Sequence, residues 1–160
     1  MRPSALAAAV LWYKDAPMPV SFEEILNAFE FVSAGGLGEH QAFLCIQSGK
    51  IYWHSDLSDL DEADDELPED VEDDEKYLEI PDKRELDLGK PLALDFARQV
   101  LPGDFDEVRR MFRRRGAYAN FKHLLARRQV LEQWYDFEQK ATERALREWC
   151  ELNSIVLADG

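Results

Sequence analysis

An acidic segment in the first half of the chain most strongly limits how this sequence can fold. Residues 55–75 contain thirteen Asp or Glu and no Lys or Arg, with only four large apolar residues. Like charges at this density repel one another in a compact state, so a mobile or loosely docked loop is predicted. The rest of the 160-residue chain holds 20 of the 33 acidic residues and all 19 basic ones. A nearly neutral globular part with an inserted acidic loop is therefore expected, with Asp59 to Asp74 dispensable for folding.

Length and composition favour a single domain. A chain of 160 residues with 46% apolar content can bury one hydrophobic core, and is short for two. A net charge of -14 argues against a simple nucleic-acid binder. No run approaches the ~20 apolar residues of a membrane span. Cys45 and Cys150 lie in apolar segments without the spacing of metal ligands, so we expect buried free thiols in the cytoplasm.

The first half of the chain predicts one helix and a small sheet. Residues 1–20 end in two closely spaced prolines and are expected to be an N-terminal extension, with one domain at 21–155. Ser21 opens a helix with a capping-box pattern, and the glycine cluster at 35–38 ends it. Two strands, AFLCIQ and KIYWHS, then flank a tight turn, and Tyr77 to Ile80 is short and apolar. We expect a three-stranded antiparallel sheet.

The chain beyond Pro91 predicts four helices, so the fold class is α+β. Leu101-Pro102-Gly103 stops the first of them, and Asp104 with Glu107 is predicted to cap the second. Gly116 ends the second helix, which favours a left-handed backbone at that residue. The last helix is expected to run for about 22 residues, because its apolar residues recur at helical spacing over that length.

The densest positive charge in the chain lies around RRRGAYANFKHLLARR, Arg113 to Arg128. Nine basic and three acidic residues occur from Arg98 to Arg128, a local charge of +6. Arg115 and Gly116 precede the exposed amides that open a helix, an arrangement suited to anions. The plainer alternative is that Tyr118 and Phe121 belong to the core, while the arginines form a solvated face, made of Arg109, Arg110, Arg113 and Arg114. Candidate anion- or partner-binding residues are Arg109, Arg110, Arg113, Arg114, Arg115, Tyr118, Lys122 and His123.

Patterns typical of enzymes are missing from the sequence. The three histidines, His40, His54 and His123, are accompanied by no zinc-protease, nucleophile-elbow or phosphate-loop motif. The acidic loop lacks the DxDxDG order of a calcium site, and carboxylates on a mobile loop cannot be held in register with a substrate. We therefore predict no catalytic residue, no cofactor and no metal site.

Three segments of the sequence form a recognisable set: YLEIPDKRELD (Tyr77 to Asp87), LPGDFDEVRRMFRRRGAYANFKHLL (Leu101 to Leu125) and WYDFEQKATERALREWCELNSI (Trp134 to Ile155). Together they resemble an uncharacterised bacterial protein family, one of the numbered UPF groups. The resemblance covers most of the chain from Ser21 to Ile155. It implies a cytoplasmic bacterial α+β domain and brings no assigned catalytic residue.

Three functional hypotheses follow from the charge pattern. The preferred one is a small cytoplasmic interaction or regulatory protein, with the acidic loop and the arginine-rich stretch as contact surfaces for a protein partner. The alternative is that residues 113–128 bind phosphate groups or nucleic acid and that the acidic loop masks them. A third hypothesis is that the acidic loop imitates nucleic acid toward a basic partner. A contact with the membrane is not expected.

Overall fold

The computed structural model describes residues 18–34, 39–55 and 67–158, which form five α-helices and a three-stranded antiparallel sheet. The α+β prediction is thereby confirmed. The N-terminal extension up to residue 17, the glycine cluster at 35–38 and the acidic residues 56–66 lie outside the described residues. The helices are α1 (Phe22–Ala34), α2 (Lys90–Val100), α3 (Phe105–Met111), α4 (Ala117–Arg127) and α5 (Leu131–Leu152), and the strands are β1 (His40–Cys45), β2 (Ile51–Ser55) and β3 (Tyr77–Glu79).

The chain divides into two compact units. The first consists of residues 1–82 and 148–160, and the second of residues 83–147. The division falls inside α5. No helix among the described residues is both long and apolar enough to cross a membrane.

The first unit is built from α1 on one face of the sheet. Ser21 starts α1, its hydroxyl accepting a hydrogen bond from the backbone N–H of Glu23. The strand order is β2-β1-β3, with both pairs antiparallel. Side chains alternate between the faces of a strand, so Ala42 and Leu44 of β1 point to the same face and are fully buried. Val20 is also buried, and its backbone pairs with Val156 and Ala158, so the chain joins this unit before residue 21.

The second half of the acidic segment is ordered on the other face of the sheet. Residues 67–76 form successive turns, held by bonds such as Val71 N–H to the Pro68 carbonyl. Leu67 and Val71 lie beside Phe43, which is only 9% exposed. The sequence predicts a loose loop here because the local charge is so high. The turns bring Leu67 and Val71 to the surface around Phe43, together with Glu72 and Asp74.

The second unit surrounds a buried aromatic cluster. Trp134 of α5 is fully buried and meets Phe96 of α2 at 5.3 Å and Phe121 of α4 at 5.1 Å between ring centroids. Phe112, which follows α3, lies 5.6 Å from Phe121. Edge-to-face pairs of this kind add to the stabilisation that burial provides. The cluster fixes α3 and α4 beside each other, and these two helices carry the basic residues.

Two local predictions are wrong. Asp104 does not cap α3 through its side chain, because the 3₁₀ turn Pro102–Asp104 leads directly into the helix and the carboxylate is engaged by Arg128 instead. Cys45 is only partly buried, because it ends β1 and the chain turns away at residues 46–49. Cys150 is buried, and neither Cys45 nor Cys150 forms a disulfide bond, as expected.

Candidate functional site

One wall of the candidate site is formed by α3 and the turn after it. Glu107, Arg110, Met111 and Arg114 follow one another at steps of three, one and three residues, which places them on one side of a helix. Although α3 ends at Met111, the N–H of Arg114 still bonds to the Met111 carbonyl. This bond continues the helical turn, so Arg114 stays on the side that Arg110 occupies.

The opposite wall belongs to α4, where Asn120, His123 and Arg127 recur at steps of three and four residues. Gly116 lies between the two walls, with φ 70° and ψ 21°, and precedes the first residue of α4. This left-handed conformation confirms the predicted backbone at Gly116. It lets the chain leave one helix and begin the next within a few residues. The prediction that Gly116 ends the preceding helix is wrong, because α3 stops at Met111 and Gly116 is the N-cap residue of α4.

The residues of these two walls line an open cleft of about 460 Å³, here called the arginine cleft. Its three arginines, Arg110, Arg114 and Arg127, come from both walls, and His123 and Asn120 add further polar groups. Among the residues that the structure describes, Glu107 is the one acidic residue of the lining. With His123 neutral, the lining carries a formal charge of +2.

Next to the cleft, Arg128 forms an ion pair with Asp104. Arg128 Nε and Nη2 donate hydrogen bonds of 2.8 and 2.9 Å to the two carboxylate oxygens of Asp104. The hydrogen bond from Arg128 lowers the pKa of Asp104, and the charge of Arg127 adds to the effect. The same bond raises the pKa of Arg128, and Glu107 contributes to that rise. Arg128 is therefore already paired with Asp104, and the arginines that line the cleft are Arg110, Arg114 and Arg127.

The remaining acidic residue of this region is also engaged. Asp106 lies 3.8 Å from Arg109, one turn further along α3, and both are exposed. Within the described part of the chain, no carboxylate forms an ion pair with Arg110, Arg114 or Arg127. The positive charge of the cleft is thus only weakly compensated, by Glu107.

The structure separates the eight predicted site residues into three groups. Arg110, Arg114 and His123 line the cleft. Arg109, Arg113 and Arg115 are exposed on the same part of the chain but do not line it. Tyr118 and Lys122 lie with the aromatic side chains: Tyr118 contacts Phe112 at 5.2 Å, and the Lys122 ammonium lies 5.7 Å from the centroid of the Tyr135 ring.

Four lining residues were missed by the sequence-based prediction. They are Glu107, Met111, Asn120 and Arg127. Helical spacing could have identified them, because each lies three or four residues from a predicted site residue. The run of consecutive arginines drew attention to Arg113 and Arg115, although neighbours in a helix point to different sides.

A second group of ionisable side chains lies between α4, α5 and the segment before α2. Burial raises the pKa of Tyr118 to about 12, and the nearby Glu138 adds to the rise. Burial also raises the pKa of Glu138, against the opposing effect of Lys122 and Lys83. The Lys83 ammonium lies 4.8 Å from the centroid of the Tyr118 ring. This group is packed among helices, and it supports the wall that carries His123.

The other reactive groups occupy the first unit. Burial opposes ionisation of the Cys45 thiol, but hydrogen bonds from the Ser48 hydroxyl and from the backbone of Ser48 and Gln47 outweigh it and lower its pKa. His40 shares a 2.9 Å hydrogen bond with Ser55. No cluster of three or more metal-ligating side chains occurs among the residues that the structure describes.

Comparison with known proteins identifies the family. The model of an uncharacterised protein family, UPF0158, matches residues 15–159, so the chain belongs to that family. The match begins before and ends after the stretch in which the sequence itself suggested a resemblance. No curated protein and no solved structure matches the chain significantly.

Proposed function

We propose that this member of UPF0158 is a cytoplasmic interaction or regulatory protein that binds an anionic group of its partner in the arginine cleft. The observation that carries the proposal is the convergence of Arg110, Arg114 and Arg127 on one open cleft without ion-pair partners in the described residues. Guanidinium groups are the side chains best suited to planar, bidentate recognition of carboxylate and phosphate.

The placement of the cleft on rigid elements supports binding. Both walls rest on the buried aromatic cluster around Phe121 and Trp134. Side chains carried by packed helices are held closer to a productive geometry than side chains on loops. A ligand would therefore meet two donors on packed helices, Arg110 and Arg127, and a third, Arg114, in the turn that follows α3.

Binding without catalysis agrees with the chemistry of the lining. His123 is exposed and has no partner within hydrogen-bond reach among the described residues that would orient it as a base. General acid and base catalysis requires a titratable group positioned against both its substrate and an orienting partner. The three arginines can hold charge but cannot transfer protons at neutral pH.

Thermal unfolding with added anions tests the proposal. Inorganic pyrophosphate should raise the midpoint of the intact protein, because a ligand that binds only the folded state stabilises it. The increase should disappear in the variant Arg110→Ala with Arg114→Ala. It should remain in Lys140→Ala with Arg144→Ala, a matched control that removes two positive charges from the exposed side of α5. An equal increase in all three proteins would reject the cleft as the binding site.

Nucleic-acid binding masked by the acidic segment is the competing hypothesis. Three proteins separate the two: the intact chain, a variant in which the Asp and Glu residues from Asp59 to Asp74 are changed to Asn and Gln while Leu67 and Val71 are kept, and that variant with Arg113, Arg114 and Arg115 changed to alanine. Masking requires labelled single- or double-stranded DNA to bind only the second protein at low salt, with affinity falling steeply as salt rises. Negligible binding of DNA by all three proteins would reject masking. The ligand of the cleft would then be a small anion or an anionic group of a protein partner.

A further inference from the structure

We infer that the arginine cleft selects the doubly charged phosphate of a phosphomonoester over the singly charged phosphate of a nucleic-acid backbone. This selectivity presupposes the proposed function, because the same side chains supply the contacts. The ligand class is then a small phosphorylated molecule or a phosphorylated protein side chain, which present the same chemical group.

The net charge of the lining matches a dianion. Arg110, Arg114 and Arg127 supply three positive charges, and Glu107 supplies one negative charge. A phosphomonoester carries about -1.5 to -2 at pH 7. A phosphodiester carries a single charge, so it would leave the cleft with an unbalanced positive charge. The dianion therefore gains more from the same three guanidinium groups.

The placement of the guanidinium groups points to the same conclusion. Arg110 and Arg114 reach the cleft from the wall of α3 and its following turn, and Arg127 reaches it from α4. A phosphomonoester has three terminal oxygens, whereas a phosphodiester has two, because a second ester bond occupies the third. Donors on two opposing walls can surround three terminal oxygens and leave the single ester oxygen directed toward solvent.

The remaining lining residues suit the group that bears the phosphate. Asn120 offers an amide N–H donor and His123 a ring N–H donor to the oxygens of the ligand. Met111 is half-buried and supplies an apolar contact for the adjoining carbon. The cleft volume of about 460 Å³ lies within the range of sites that hold one small ligand.

The charge of the whole chain disfavours the polyanionic alternative. The protein has a net charge of -14, which repels an extended nucleic acid beyond the few residues of the cleft. A single phosphate group avoids most of that repulsion, since charges further away than a Debye length of about 8 Å at physiological salt are largely screened. Local positive charge in an acidic protein thus favours one compact anion.

Two-dimensional NMR titrations test the selectivity directly. The probes are phenyl phosphate as the monoester, diphenyl phosphate as the diester, and a serine peptide with and without phosphate on the serine. We expect phenyl phosphate to bind about tenfold or more tightly than diphenyl phosphate, which corresponds to one decade in dissociation constant. The resonances that shift should belong to residues 107–127. The peptide identifies the source of the phosphate once the monoester is preferred. Tighter binding of the phosphopeptide than of phenyl phosphate would assign the phosphate to a protein side chain. Equal binding would show that the cleft recognises the phosphate group and little of the molecule that bears it.

Variants distinguish failure of the selectivity from failure of the site. Arg110→Ala with Arg114→Ala should abolish binding of phenyl phosphate, and the control Lys140→Ala with Arg144→Ala should retain it. Arg114→Gln is a milder second variant, because Arg114 lies in an exposed turn and its loss should not disturb folding. Equal affinity for both esters, lost in the cleft variants, would overturn the selectivity and leave the proposed function intact. Absence of any cleft-dependent binding would overturn both.

Discussion

Arg128 holds Asp104 through two parallel hydrogen bonds across 24 residues of sequence, and the Asp104 side chain is only 16% exposed. The pair connects the 3₁₀ turn before α3 to the residue that follows α4. A bidentate arginine-carboxylate pair fixes orientation as well as distance. It therefore fixes the start of the α3 wall against the end of the α4 wall, although neither residue lines the arginine cleft.

Asp104→Asn should lower the thermal midpoint at pH 7, because it removes the charge that both hydrogen bonds require. The pair lowers the pKa of Asp104, so its stabilisation is present above the unfolded pKa of about 3.9. It is lost as the pH falls through the lower folded value. Thermal unfolding of both proteins from pH 7 to pH 2 should show the difference shrinking below about pH 4. A difference that stays constant over this range would contradict the ion pair.

Gly116→Ala should destabilise the protein by about 1 to 2 kcal/mol, because a Cβ is unfavourable in the left-handed conformation. A clash with more distant residues is not the cause, since apart from Gly116 and its two chain neighbours no atom lies within 4 Å of a Cβ built there. Gly103→Ala is the matched control, because its Cβ would also meet open space and its backbone is not left-handed. Urea unfolding should separate the two variants. Equal stability of both would show that Gly116 does not adopt this conformation in solution.

Changing Leu67 and Val71 together to alanine should cost about 1 to 2 kcal/mol, the range expected for losing several half-buried methyl groups. Both side chains lie beside Phe43 on the sheet. This expectation revises the sequence-based prediction that the whole acidic segment is dispensable for folding. Glu69→Ala and Glu72→Ala, which alter exposed residues of the same turns, serve as controls in chemical denaturation. Unchanged stability in the double variant would restore the original prediction.

Glu138→Gln should raise the thermal midpoint at pH 7. Burial raises the pKa of Glu138, so ionising it at neutral pH costs stability in the folded state. Below the unfolded pKa of about 4.3 the carboxyl is protonated in both states, and the advantage of the variant should vanish. The difference in midpoint should thus grow as the pH rises through the folded pKa. A variant less stable than the parent at pH 7 would mean that the attraction of Lys83 and Lys122 outweighs burial.

The single domain that the sequence predicts at 21–155 stays a prediction. We expect one cooperative unfolding transition, because the division between the compact units falls inside α5 and cutting there would break its backbone hydrogen bonds. Calorimetry and circular dichroism should report the same midpoint. Two separated transitions would assign each unit its own stability.

Local patterns in the sequence determined the elements of this protein. The apolar spacing from Trp134 onward gave the 22-residue helix, and the alternation around Ser48-Gly49 gave the hairpin. Because one helix stops and the next begins within a few residues of Gly116, a left-handed backbone could be predicted there. Each of these depends on interactions between residues close in the chain, and such interactions can be read from spacing.

Only the tertiary structure decided which charged residues face one another. Asp104 was predicted to cap a helix, but its carboxylate is engaged by Arg128, 24 residues away. That pairing removes Arg128 from the set of available arginines, while the packing of α3 beside α4 brings Arg127 to Arg110 and Arg114. The sequence shows the net charge of a region, but it does not show which opposite charges lie close enough to form ion pairs. The physical reason is that ion pairing depends on distances of a few ångströms, and packing of distant segments sets those distances.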